Sequence, residues 1–353
     1  MKRVLVLDGT ASPHHLTQRG LKLLEKQCEV IHLSRDGEPP ESVRARVQDH
    51  LANVDAVLLS PWSGFPFALT PEHLDRARQL KVIAGNFDYQ FPKWVKLQDL
   101  HDRDICLVDT SRSMTPSVAE FAFAMTLAML RDIPNLAQRM REGKWRPKLE
   151  WNATRQDHFV QGDLRGKRVG LAGFGTINRF YAQFCRPFDC RIVAYDPYLP
   201  DEVFSRHGVE RMQSMEGVAA ESEIFSVGIP PAPHTERVVS REVIMALPAG
   251  SLFVLVTRMF VVEQDALWER VRDNQLRVAL DVFMPEPPEP DAWFRTHPNC
   301  LLTPHMAGGP FYCHERCFFS ACEDALAVLN DEAPEYAATQ NDVDCYAGEP
   351  APF

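Results

Sequence analysis

One stretch constrains this chain more than any other. The apolar run Arg168 to Ala172 leads directly into Gly173-Phe174-Gly175-Thr176-Ile177-Asn178 and then into a helical segment. A strand that bends sharply into a helix needs a glycine at the bend and a second one where a ligand approaches the backbone. The start of the helix then offers free N–H groups and the positive end of its dipole. The next apolar run, Arg191 to Tyr195, ends at Asp196, about where a carboxylate accepts hydrogen bonds from adenosine ribose hydroxyls. This strand–turn–helix–strand–acid order predicts a dinucleotide site at Gly173, Phe174, Gly175, Thr176, Ile177 and Asp196. A carboxylate would repel a 2′-phosphate, so NAD is expected over NADP. Asn178 stands where the pattern has its third glycine. The glycines alone also fit a plain strand-to-helix turn, and Asp196 alone fits a turn before Pro197.

Short apolar runs recur along the rest of the chain. Arg3 to Asp8, Cys28 to Leu33, Ala56 to Ser60, Val82 to Gly85 and Ile105 to Asp109 read as strands of a first α/β unit. Thr115-Pro116 opens a helix to about Arg131, apolar on nearly every side and so expected to be buried. After a loop from Trp145 to Gln161, strands are expected at Arg168 to Ala172, Arg191 to Tyr195, Ile224 to Gly228, Leu252 to Val256, Val278 to Asp281 and Leu301 to Thr303. A helix from Cys313 to Leu329 and an acidic tail follow. A chain of 353 residues exceeds one ordinary core, which favours two domains.

The net charge of -10, with no long basic run, argues against nucleic acid as a partner. Asp8 interrupts the N-terminal apolar run too early for a signal core, and Phe121 to Leu130 reads as too short to cross a bilayer. A cytoplasmic protein with no membrane partner is expected. The nine cysteines form no C-x-x-C pair, so reduced thiols are expected. Cys313, His314 and Cys317 could share a helical face, but without a fourth ligand they fall short of a closed metal site, and no metal is expected.

Three late segments carry chemistry: Val256-Thr257-Arg258, Asp281-Val282-Phe283-Met284-Pro285-Glu286-Pro287, and Thr303-Pro304-His305. Together with the glycine turn and the Ser117-Val118-Ala119-Glu120 helix start, they resemble the D-isomer-specific 2-hydroxyacid dehydrogenase family over most of the chain. The resemblance implies that Arg258 binds the substrate carboxylate and polarises its carbonyl, that His305 gives or takes the proton, and that Glu286 partners His305. A guanidinium and an imidazolium beside a carbonyl gaining negative charge favour its reduction. The resemblance also sets Asp281 against the nicotinamide amide, with Pro230, Thr257 and His305 lining the cofactor cleft.

The fold it implies is α/β: two Rossmann-like or flavodoxin-like domains with parallel sheets. A discontinuous outer substrate domain takes residues 1–116 and 311–353, an NAD-binding domain takes 117–310, and the active site lies in the cleft between them. The expected protein is a homodimeric oxidoreductase of a small-molecule 2-hydroxy or 2-keto acid.

The pattern also departs from the family. Leu255 replaces an asparagine, Met259 replaces the glycine after the arginine, and Ala84-Gly85-Asn86-Phe87 lacks a second glycine in the loop that usually grips the carboxylate. Aromatic residues gather near the expected cleft: Trp62, Phe65, Phe67, Phe87, Tyr89, Phe91, Trp94, Phe311 and Tyr312. They suggest substrate contacts at Trp62, Asn86 and Phe87 and a bulky or aromatic substrate; a core and domain-interface role explains them equally well. Other readings on the same fold are phosphite oxidation, an epimerase with tightly held NAD, and an NAD(H)-sensing regulator. Glu286 argues against a formate-oxidising relative, which carries glutamine at that place.

Overall fold

The structure is a computed structural model and describes residues 1–8, 14–34, 40–61, 66–87, 90–145, 159–309 and 311–344. The chain divides into two compact units. Among the described residues the first holds 1–114 and 309–344, and the second holds 115–308.

In the first unit, β1 (Lys2–Asp8), β2 (Cys28–Ser34), β3 (Ala56–Leu59), β4 (Val82–Gly85) and β5 (Cys106–Asp109) form a parallel sheet in the order β2-β1-β3-β4-β5. Strand side chains alternate between faces, and here both faces are covered. Leu5, Leu7, Val57, Leu59 and Ile83 pack against Val43, Val47 and Leu74 from the helices on one side. Val4, Val6, Leu58, Val82 and Val108 pack against Leu24, Phe318, Ala321 and Ala325 on the other. This double covering explains why the strands read as unbroken apolar runs.

The second unit carries β6 (Arg168–Ala172), β7 (Arg191–Tyr195), β8 (Glu210–Arg211), β9 (Ile224–Val227), β10 (Leu252–Leu255), β11 (Arg277–Leu280) and β12 (Cys300–Leu302). All pairs are parallel, in the order β12-β11-β10-β9-β6-β7-β8. The chain winds outward in both directions from β6, so the crevice between the C-terminal ends of β6 and β9 is the switch point where open α/β sheets bind ligands. The edge strand β8 was not expected, because two charged residues carry no apolar run.

The long helix Thr115–Leu130 takes Thr115 as its first residue. It buries Ala122, Met125, Met129 and Leu130 in the core that holds Tyr181 of the helix Thr176–Cys185. The Tyr181 and Thr126 hydroxyls share a 2.7 Å hydrogen bond. The helical run Thr110–Leu130, at 21 residues, is longer than the sequence suggested, and by length and composition it could cross a bilayer; half of its most apolar window is buried inside the fold.

Candidate active site

The glycine turn sits at the switch point. Gly173 has φ +76°, and a Cβ there would lie 2.9 Å from Ile229 Cγ1 and 3.2 Å from the Gly228 carbonyl, so only glycine makes this bend. At Gly175 a Cβ would meet only the Gly228 carbonyl, at 3.8 Å, which leaves the backbone approachable where a pyrophosphate would lie. Thr176, exposed, and Ile177, half-buried, open the following helix. The Phe174 side chain is fully buried and stacks on Phe204 with centroids 5.0 Å apart, which anchors the turn from below. Asp196 is half-buried at the end of β7. Its carboxylate accepts from the Phe174 N–H at 2.9 Å and the Tyr198 N–H at 3.0 Å, and so is aimed at the turn. An open glycine cradle, a helix start and an oriented carboxylate are the donor set a dinucleotide requires, and these residues fit NAD.

Asn178, where a third glycine was missed, is fully buried. Its Nδ2 donates to the Gly173 carbonyl at 2.7 Å, the Ala172 carbonyl at 3.2 Å and the Ser226 carbonyl at 3.3 Å, and its Oδ1 accepts from Ser226 Oγ at 3.0 Å. One amide therefore laces β6, the turn and β9 together. A Cβ on Gly228 would fall 2.5 Å from Asn178 Nδ2, so Asn178 requires glycine at position 228. Neither Ser226 nor Gly228 was singled out in the sequence; the serine-to-glycine end of an otherwise apolar strand was the available signal.

The second group gathers at the C-terminal ends of β10, β11 and β12. Buried Thr257 donates from Oγ1 to the Val227 carbonyl at 3.3 Å. Arg258 follows, its Nη1 donating to the Thr257 carbonyl at 2.9 Å and lying 3.3 Å from His305 Nε2. His305 Nδ1 is 2.9 Å from Glu286 Oε2. Of the two ring nitrogens, Nδ1 faces a carboxylate and so carries the proton, which leaves the Nε2 lone pair toward Arg258. The His305 side chain is 30% exposed and that of Glu286 19%, so the imidazole is reachable while its partner is shielded. Glu286 Oε1 is buried without a hydrogen-bond partner among the described residues. Sequence reading named all three of these residues, and the structure brings them into one line.

Asp281, expected beside the nicotinamide amide, directly follows β11. It is fully buried. Its Oδ1 accepts from Thr303 Oγ1 at 2.5 Å and the Met306 N–H at 2.9 Å, and its Oδ2 from the Ala307 N–H at 2.8 Å. Burial pushes its carboxyl up, opposed by these three hydrogen bonds. The backbone of His305 is left-handed, φ +55°, and its N–H donates to the Asp281 carbonyl at 2.8 Å. Asp281 is thus the post on which the His305 loop is hung. Pro230 is exposed just beyond β9, its carbonyl accepting from Thr235 Oγ1 at 2.8 Å.

In the first unit, Trp62, Phe65 and Tyr89 lie outside the described residues. Phe87, expected at the substrate, is 4% exposed. It packs edge-on against Phe91, and its N–H is held by Asp109 Oδ1 at 3.1 Å. Phe67 and Phe91 belong to the same core. These three rings fill the core of the first unit, while Phe311 and Tyr312 expose 59% and 57% of their surfaces. Asn86 is half-buried, with its Oδ1 accepting from Ser111 Oγ at 2.9 Å. Cys313, His314 and Cys317 are buried, Cys317 Sγ lying 3.1 Å from Ser113 Oγ. Among the described residues no group of His, Cys, Asp or Glu is placed to hold a metal ion.

An open parallel sheet with a dinucleotide cradle at its switch point, and an Arg–His–Glu line on the same edge, defines a nicotinamide-linked oxidoreductase. The sequence profile of the D-isomer specific 2-hydroxyacid dehydrogenase NAD binding domain matches residues 123–307. The chain belongs to that family, whose members are NAD-dependent oxidoreductases of 2-hydroxy acids. It is 27% identical over 336 residues to a D-3-phosphoglycerate dehydrogenase from Methanocaldococcus jannaschii, covering 95% of this chain but only 59% of that protein. It is 28% identical over 328 residues to a glyoxylate reductase from Korarchaeum cryptofilum, covering 92% and 94%. A phosphoglycerate oxidoreductase from Rhizobium etli shares the fold with a TM-score of 0.79 at 23% identity, covering 96% of this chain and 98% of that one.

Proposed function

We propose that this protein interconverts a small 2-keto acid and its 2-hydroxy acid, with Arg258, His305 and Glu286 as its catalytic residues. The Arg258–His305–Glu286 line carries this reading: the cation and the reachable Nε2 lie 3.3 Å apart, so a carbonyl oxygen entering there meets both. Bound NADH supplies the hydride that C2 gains. As charge builds on the oxygen, Arg258 stabilises it and binds the neighbouring carboxylate. His305, protonated at both nitrogens for reduction, releases the Nε2 proton to that oxygen, while Glu286 holds Nδ1–H and keeps the ring in register. Gly173, Phe174, Gly175, Thr176, Ile177 and Asp196 hold the dinucleotide. The Asp196 carboxylate supports NAD over NADP through its repulsion of a 2′-phosphate. The first unit is the substrate-binding domain, through Asn86 and its loop.

With Phe67, Phe87 and Phe91 in the core, the substrate is small, as glyoxylate is in the name of the Korarchaeum relative. Following NADH absorbance across a panel from glyoxylate to phenylpyruvate tests this. Turnover should favour the small members, and Arg258→Ala should lower kcat/KM by about 10²–10³-fold. Preference for phenylpyruvate would overturn the size assignment; silence across the panel would overturn the activity.

We infer a homodimer as well. The helix Ile133–Arg141 buries none of its residues, and Ile133, Leu136 and Met140 expose 53%, 46% and 58% of their surfaces along one face, with Trp145 at 72% just beyond. A stripe at this spacing suits a second copy of the chain. In analytical ultracentrifugation the wild type should sediment as a dimer, and the Leu136→Glu, Met140→Glu double variant as a monomer. A dimer that survives both changes would place the interface elsewhere. The eight described cysteines are all free thiols, which supports a reducing compartment such as the cytosol.

A further inference from the structure

Glu286 stands in a stretch with neither strand nor helix. Over residues 283–291 no backbone N–H donates to another backbone group among the described residues. The carboxylate does not anchor itself: Oε2 meets His305 Nδ1 at 2.9 Å, and Oε1 is buried without a hydrogen-bond partner among the described residues. Whatever fixes Glu286 against the imidazole must therefore act on the rest of its loop.

Two features do so, one on each side of the glutamate. Three residues before it, the half-buried Phe283 ring lies parallel to that of Phe294, with centroids 6.0 Å apart and planes at 9°. Phe294 in turn lies flat on Trp268 of the helix Gln264–Arg272, at 4.4 Å and 4°. Trp293 closes the stack edge-on against Trp268, centroids 5.7 Å apart, and the Arg272 guanidinium sits 4.6 Å above the Trp293 ring. Trp268, Phe283 and Trp293 all rest on the core of the second unit. After the glutamate, the Pro288 and Glu289 carbonyls accept from Arg295 Nη2 at 2.6 Å and Nε at 2.7 Å. Phe294 and Arg295 are neighbours in the turn Trp293–Thr296, so one short turn grips the loop on both sides of Glu286.

We propose that Phe283, Phe294, Trp268 and Arg295 are positioning residues: through the loop they hold Glu286 against His305 Nδ1 and so keep the imidazole in the tautomer that the reaction uses. The proposal rests on the roles given above to His305 and Glu286. None of the four is hydrogen-bonded to Glu286 or His305, so their action passes through the chain. Flat aromatic faces hold the backbone that carries them at little entropic cost, and the arginine fork donates from two nitrogens at once, which fixes orientation as well as distance. A displacement of about 1 Å in a group that orients a reacting one costs up to about 10²-fold in rate.

The test combines steady-state kinetics with nitrogen NMR of histidine-labelled protein, in which the His305 signals are those missing from His305→Asn. In alkaline buffer the wild type should show one tautomer of His305, with the proton on Nδ1. Phe294→Ala should show a mixture of the two, as Glu286→Ala does, and should lower kcat by about 10–10²-fold while the KM for NADH changes by less than about threefold. Phe294→Tyr, which keeps the stack, should match the wild type in both readouts. Phe294→Ala added to Glu286→Ala should cost no further rate, because both changes act on one contact. Arg295→Gln, a change at an exposed residue, should move both readouts in the same direction, and it decides the matter if Phe294→Ala fails to fold. A single Nδ1–H tautomer in the folded variants, or a rate loss that multiplies with that of Glu286→Ala, would overturn the proposal. Mixed tautomers in the variants of a protein silent on every 2-keto acid would uphold the role of the stack and strike the catalytic reading alone.

Discussion

Replacing His305 by alanine is expected to lower kcat for 2-keto acid reduction by about 10²–10⁴-fold, the range over which a positioned proton donor acts. The imidazole is the group in the Arg258–His305–Glu286 line that can carry a proton to the carbonyl oxygen. Arg258 does not give up its proton, and Glu286 faces the far nitrogen. The NADH affinity should change by less than about threefold, because the glycine turn and Asp196 belong to β6 and β7 rather than to the His305 loop. Position 305 is left-handed, so alanine also carries backbone strain of about 1–2 kcal/mol. His305→Asn separates the two effects, since asparagine tolerates that conformation but transfers no proton. If the asparagine variant recovered most of the lost rate, the defect would be strain and the proton would come from elsewhere. Steady-state kinetics of the three proteins, with NADH binding measured by fluorescence, decides between these outcomes.

The second large effect is expected at Asn178, where a change toward the common fingerprint should do harm. Asn178→Gly restores a third glycine, yet it strips Ser226 Oγ and the Ala172 and Gly173 carbonyls of a buried partner and opens a cavity above Gly228. Lost hydrogen bonds and the cavity together should destabilise the second unit by about 2–4 kcal/mol. The melting midpoint should fall by roughly 5–15 °C for a unit of this size. Gly228→Ala should also destabilise, since its methyl would fall 2.5 Å from Asn178 Nδ2. In the double variant the methyl enters the space the amide vacates, so the two losses should fall short of additive by at least about 1 kcal/mol. Strict additivity in thermal or urea unfolding would mean that the two positions are not coupled and that the amide is dispensable.

These two sites differ in how far the sequence revealed them. Arg258, Glu286 and His305 were legible because each is a polar residue following an apolar strand or a proline-marked turn, and their shared edge follows from the parallel topology alone. Asn178 read as a defect in a pattern. Its value depends on Ser226 and Gly228, 48 and 50 positions further on, which lie beside it only after β6 and β9 pair. Asp281 was legible as a strand-end carboxylate, but its hold on the His305 loop was not. A carboxylate at a strand's end can hold up the loop that follows it, and only the fold brings the donors of Thr303, Met306 and Ala307 onto this one. Phe87 and Phe91 carried the opposite ambiguity, since an aromatic residue in a loop is apolar whether it lines a pocket or fills a core.

By itself, the sequence determined the parallel α/β class, the order of the main strands along the chain and the glycine turn, and it picked out the residues proposed as acid and base. Each of these rests on local signals: apolar runs covered on both faces, glycines at a bend, and polar residues at strand ends. Only the tertiary structure decided the partner of Asn178, the hold of Asp281 on the His305 loop and the burial of Phe67, Phe87 and Phe91. Those depend on which atoms come within hydrogen-bond or van der Waals reach once strands distant in sequence are paired and their faces filled, and side-chain type alone does not encode that.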